Sequence, residues 1–175
     1  TVENTGFSDA AIMILYHVNI GFPLLDKSAR LIEAKARVTP RDDEAKKGME
    51  QYSTFSDPVN DYKEQVFYHE IDADPDGNGN VAIINERFEN SRGIGLWLKY
   101  SLKTLPYLVQ WKQVGEGEYV CGIEPSNGKV LGRTTERKNK TLKYLKPGEK
   151  IHCKLEFNVL KNNDDIKTLK KLLKV

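Results

Sequence analysis

Ile94-Gly95-Leu96-Trp97-Leu98-Lys99-Tyr100-Ser101-Leu102 sets Ile94, Leu96, Leu98 and Tyr100 against Gly95, Trp97, Lys99 and Ser101. A period of two sends successive side chains to opposite faces, which is the mark of a strand with one buried side. The same reading extends in both directions. Downstream, Leu108–Gln113 and Tyr119–Glu124 repeat it. In Lys150–Leu160, Ile151, Cys153, Leu155, Phe157 and Val159 alternate with His152, Lys154, Glu156 and Asn158. Upstream, Val81–Asn85, Gln65–Ile71 and Arg30–Val38 read as strands, and the apolar run Ala10–Ile20 as a central strand broken by Gly21-Phe22-Pro23. Asp72–Asn80 is turn chemistry, since Asp and Asn tolerate left-handed backbone and Gly adopts it freely. Arg41–Ser56 is polar, with Asp42, Asp43 and Glu44 ahead of Lys46 and Lys47, and reads as a loop holding a short helix. Only Asp164–Leu173 carries helical spacing, in Ile166, Leu169, Leu172 and Leu173. Many short strands with turns between them predict an all-β chain, an antiparallel β-sandwich. Residues 1–175 form one domain on this reading, with 161–175 a polar, helical tail.

Composition narrows the function. The chain has 175 residues, 39% hydrophobic and 30% charged, with a formal net charge of +2. That is the balance of a globular domain with a genuine core, and the charge is too small to argue for a nucleic-acid partner. The basic stretches Arg133–Lys146 and Lys167–Lys174 read as solvated faces. No apolar run approaches the roughly 18 residues of a membrane span, and no signal peptide opens the chain. Cys121 and Cys153 form no metal-type pair and no disulfide framework, so they read as inert strand residues in a reducing, cytoplasmic setting. The chain opens on Thr1 rather than Met, in a segment that reads as the middle of a protein.

Three constellations could carry chemistry. Asp72-x-Asp74-x-Asp76-Gly77 opens like a calcium loop, but the twelfth position, where such a loop needs a bidentate glutamate, is Ile83. A turn is the favoured reading. His17 and Asn19 share one face of an otherwise apolar strand, so they are either paired within a core or facing a cleft. Glu124 precedes Pro125, which is expected to end the strand there. Its carboxylate, with Asn127 close behind, reads equally as surface loop or as groove. Trp97 and Trp111 would floor such a groove, or lie buried in the core.

At these residues the sequence resembles the aldose-1-epimerase (galactose mutarotase-like) superfamily, within a branch of epimerase-like proteins. The resemblance is carried by Val2–Gly6, Leu15–Leu25, Glu64–His69, Gln110-Trp111-Lys112, Glu118–Asn127 and Leu145–Glu149, in family order over nearly the whole chain. It implies a supersandwich of antiparallel sheets, here incomplete on the N-terminal side, with a sugar cleft and interconversion of the anomers of a sugar. Carried over by motif, Glu124 is the base at the C1 hydroxyl and His17 the acid at the ring oxygen, residue types suited to acid–base work. Glu64 or Gln65 would hold a sugar hydroxyl, with His69, Trp111 and Asn127 lining the same cleft. No metal or organic cofactor is implied, and the partner is a small sugar. Family enzymes are about twice as long, so exposed strand edges imply a missing N-terminal segment or a second copy in a homodimer. Glu64-Gln65 stands where the family has an Asp-His pair. A carbohydrate-binding domain without turnover, or an inactive fragment of a larger epimerase-like protein, are the alternatives.

Overall fold

The computed structural model describes residues 1–175. In chain order the strands are β1 (Val2–Glu3), β2 (Ala10–Ile12), β3 (Val18–Ile20), β4 (Arg30–Glu33) and β5 (Ala36–Pro40). After α1 (Asp43–Lys47) come β6 (Gln65–Ile71) and β7 (Asn78–Asn85), and after α2 (Phe88–Ser91) come β8 (Ile94–Ser101), β9 (Tyr107–Gly115) and β10 (Glu118–Ser126). The chain closes with α3 (Arg133–Lys138), β11 (Lys143–Leu145), β12 (Lys150–Ile151), β13 (Leu155–Leu160) and α4 (Asn163–Leu173).

Two antiparallel sheets make the body, one of five strands ordered β3-β10-β9-β6-β5 and one of four ordered β13-β8-β7-β4. Strand parity decides what lies between them. Ile20, Ile71, Leu108, Val114, Cys121 and Ile123 point inward from the first sheet, and Leu31, Val81, Ile83, Leu98 and Tyr100 from the second. The alternate residues of β7, Ala82 and Ile84, point the other way and pack with Leu160 against Ile166, Leu169 and Leu173 of α4. The helix therefore seals the outer face of the four-stranded sheet. Asn162 caps it, accepting from the backbone N–H groups of Asp164 and Asp165 at 2.9 and 3.0 Å. Leu172, expected in its apolar stripe, is exposed.

Several strands are shorter or differently shared than their patterns predict. Ala10–Ile20 is no single central strand: β2 pairs with β11, β3 pairs with β10, and Leu15 between them makes only an isolated bridge to Ser126. Arg30–Val38 is two strands, β4 belonging to one sheet and β5 to the other. An alternating pattern cannot reveal such a corner, because each half keeps its own period while changing partners. Glu33, at the end of β4, is buried beside His69. Lys150–Leu160 likewise divides, and Cys153 falls in the gap between β12 and β13 rather than in a strand.

Pro125 does not end its strand. It pairs with Leu108 inside β10, and its carbonyl accepts from Tyr16 N–H at 3.0 Å. In extended backbone the nitrogen and oxygen of one residue face the same side, so the missing N–H falls toward the ragged β3 side, where no ladder needs it. Asp72–Gly77 is a turn, but one that carries the chain between sheets rather than closing a hairpin. Asp74 accepts from the N–H groups of Asp76 and Asn78, each at 2.9 Å, and lies 3.1 Å from Lys99 Nζ. These partners hold its carboxyl at about 2, burial pulling the other way, and they leave little of it for a cation.

Candidate active site

The five-stranded sheet has a second face, and there the parity argument singles out a different set of residues. Val66 and Tyr68 of β6 and Val109 of β9 form a small buried cluster on it, with Leu15 and Trp111 packed alongside. Beside this cluster opens a cleft of about 270 Å³, lined among others by His17, Arg41, Glu64, Trp111, Glu124 and Val130. Its walls come from separate elements: the chain entering β3, the end of β5, the start of β6, and the centres of β9 and β10.

Glu124 is 3% exposed and lies on the floor. His17 Nε2 approaches its Oε1 at 3.0 Å, while about half of the imidazole faces solvent. The contact is close but off the line of the ring N–H, so Oε1 receives no well-directed hydrogen bond from the protein. Burial pushes the Glu124 carboxyl above its ordinary value; the imidazole opposes that rise and the nearby Glu64 charge adds to it. Two residues back on the same face, Gly122 makes room. A Cβ there would strike Glu124 Oε1 and sit 3.2 Å from Trp111 Cβ.

Trp111 meets His17 edge-on, with ring centroids 5.8 Å apart at 72°. Its Nε1–H donates to Glu64 Oε2 at 2.7 Å, and Arg41 Nη2 donates to Glu64 Oε1 at 3.0 Å. Arg41 Nε in turn donates to Asp42 Oδ2 at 2.7 Å. The cleft thus offers an unsatisfied buried carboxylate, an accessible imidazole beside it and an aromatic wall. That combination can remove a proton from one oxygen and deliver one to a neighbouring oxygen.

Of the residues expected at a site, His17, Glu64, Trp111 and Glu124 come together. Gln65, His69 and Asn127 do not. Gln65 and His69 do share a face, but it is the inner one, opposite to that of Glu64. Gln65 Nε2 donates to the Glu44 carbonyl at 3.3 Å, and its side chain fills the space beside Gly48. His69 is fully buried between Glu33 Oε2 at 2.7 Å and Gln110 Oε1 at 3.1 Å. Asn127 is a strut: its Oδ1 accepts from Ile14 N–H at 2.7 Å, and its Nδ2 donates to the Ile12 carbonyl at 3.3 Å. Trp97 packs on the α4 side of the other sheet and donates to Asn80 Oδ1 at 3.0 Å. Arg41, Gly122 and Val130 were not anticipated. Gly122 was the readable one, since a glycine two residues from an acid on one strand face leaves space for it.

The chain superposes on a protein from Klebsiella pneumoniae subsp. pneumoniae described as a putative aldose 1-epimerase, with a TM-score of 0.90 and 28% identity. The match covers 98% of this chain and 44% of that one, so this chain spans less than half the length of the Klebsiella protein. None of the curated proteins compared with it matches. The mostly β, antiparallel architecture is therefore that of part of an epimerase-like fold. Over residues 1–159 the sequence matches the profile of a domain of unknown function, DUF4432, and to that family the chain belongs.

Proposed function

We propose that this chain is the acid–base half of a sugar anomer-exchanging protein, an isomerase of the aldose-1-epimerase type. Glu124 takes the proton of the anomeric hydroxyl as the ring opens, and His17 gives one to the ring oxygen. After rotation about the C1–C2 bond the two roles reverse and the other anomer closes. The reading rests above all on the approach of His17 Nε2 to Glu124 Oε1 at 3.0 Å in an open cleft. The two oxygens to be served are both bonded to C1, so acid and base must stand within a few ångströms of each other. A general base also needs a free lone pair, which Oε1 has, and a carboxyl raised by burial works closer to neutral pH. A volume of about 270 Å³ lies at the small end of ligand sites and suits one sugar ring better than a chain of them. The likeness to the Klebsiella protein points the same way.

The test is anomer exchange followed by NMR or polarimetry over a panel of aldoses including D-galactose and D-glucose. Glu124→Gln and His17→Asn are each expected to lower the enzyme-dependent rate by about 10²-fold or more. Exchange unaltered in both variants would end the epimerase assignment. Saturable sugar binding with exchange never above the buffer rate would instead assign a carbohydrate-binding module.

A further inference from the structure

We propose that Glu64 is a positioning residue rather than a sugar ligand, clamping the Trp111 indole and through it holding His17 against Glu124. The inference rests on His17 being the acid of the proposed reaction. It departs from the role that the motif assigns to Glu64, because each carboxylate oxygen already accepts a bond from a neighbouring side chain. Oε2 accepts from Trp111 Nε1 at 2.7 Å and Oε1 from Arg41 Nη2 at 3.0 Å. Arg41 is itself tied through Nε to Asp42, the cap of α1, whose other oxygen accepts from Ala45 N–H at 2.9 Å. The anchor therefore reaches back to a helix terminus rather than ending on a mobile side chain. A sugar hydroxyl could use only the lone pair left on each oxygen, on a carboxylate whose position these two bonds already fix.

His17 needs such a support. It sits outside the regular ladder, just before β3, is about half exposed and makes no directed hydrogen bond to the protein. Apart from the Glu124 carboxylate, the aromatic group that meets its ring is the Trp111 indole at 5.8 Å. An indole free to rotate would leave the imidazole free as well, and misplacement of an acid by an ångström is costly to catalysis. The Glu64 charge also acts on Glu124 through space. The charged or titratable groups lining the cleft with that carboxylate are His17 ahead of β3, Glu64 at the start of β6, and Arg41 just after β5.

The experiment compares wild type with Glu64→Gln, Trp111→Phe and the double variant. Glutamine keeps the size of Glu64 but must turn its NH₂ toward one of the two donors. Expected for Glu64→Gln is a loss of about tenfold in kcat with KM within about twofold, and an acid limb of the pH–rate profile moved to lower pH. The double variant should be no slower than the slower single variant, as for two links of one chain. A KM raised about tenfold at unchanged kcat would make Glu64 a sugar ligand and overturn the proposal; so would additive losses. A second readout does not need turnover. The chain has three histidines, so His17→Asn identifies the His17 imidazole signals by NMR. In wild type these should carry a ring-current shift from Trp111 that collapses in Glu64→Gln. An unchanged shift overturns the proposal. A collapsed shift in a protein that exchanges no sugar supports the clamp while sinking the function above.

Discussion

Glu124 shows how much of this site is decided by one neighbour without a side chain. On strand β10 the residues Gly122 and Glu124 share the outer face, and the carboxylate folds back over the glycine. Gly122→Ala is expected to lower sugar exchange at least tenfold, because the new methyl occupies the space of Glu124 Oε1 and presses on Trp111. Its cost to stability should stay within about 1 kcal/mol, since alanine is otherwise easier to order than glycine. Exchange at the wild-type rate in a folded Gly122→Ala protein would mean that the placement of this carboxylate is not what matters. The same residue-scale logic explains which site residues were legible. His17 stands out as a polar group in an apolar strand, and Glu124 as a carboxylate set just before Pro125. Gln65, assigned by the resemblance, and Asn127, read as close behind Glu124, are instead consumed by backbone groups, Glu44 and Ile14 among them, contributed by segments distant in sequence. Nothing local announces such partners.

At the scale of elements, strand existence was readable and strand membership was not. β6 and β8 fall where their alternation places them, because each runs through the middle of a sheet with two partners. Ala10–Ile20 and Arg30–Val38 fragment because they run along sheet edges and corners, where pairing changes hands and hydrophobicity alone cannot say with whom. The tail illustrates the opposite case. Ile166, Leu169 and Leu173 recur at helical spacing, Asn162 supplies the cap, and Asp164 with Asp165 face the positive end of the helix dipole. Asn162→Ala removes an acceptor from two N–H groups and should cost about 1 kcal/mol in urea unfolding at unchanged slope. Sugar exchange should be untouched, because α4 lies on the far side of the four-stranded sheet from the cleft. A loss of exchange with no loss of stability would contradict that layering.

The interior of the whole molecule is not a uniform apolar slab. From the five-stranded sheet, His69, Gln110 and Lys112 reach inward to the crossing segment that follows α1. Gln110 Nε2 donates to the Tyr52 carbonyl at 2.8 Å, and Lys112 Nζ donates to the carbonyls of Gln51 and Thr54 at 2.8 and 2.7 Å. Period-two reading puts Gln110 and Lys112 on the same face of β9 as Leu108, yet cannot foresee that a loop will thread past to receive them. Lys112 is 5% exposed, and burial pushes its ammonium down to about 8. Below that pH the lysine is charged in both folded and unfolded chains, and the full cost of burying the charge is carried. Above it, and up to the ordinary lysine value of about 10.4, the unfolded chain holds a proton that the folded one has released. Stability contributed at this position therefore rises with pH across that window, by up to about 1.4 kcal/mol per unit. Chemical unfolding of wild type and Lys112→Met at about pH 7.5 and about pH 10.5 isolates it, because the other titrating groups cancel in the difference. The wild type should gain on the variant by on the order of 3 kcal/mol between the two conditions. Parallel curves would mean that Lys112 keeps its proton inside the sandwich, satisfied by its two carbonyls and by the Phe55 ring 5.4 Å away, and that burial here costs the charge far less than its surroundings imply.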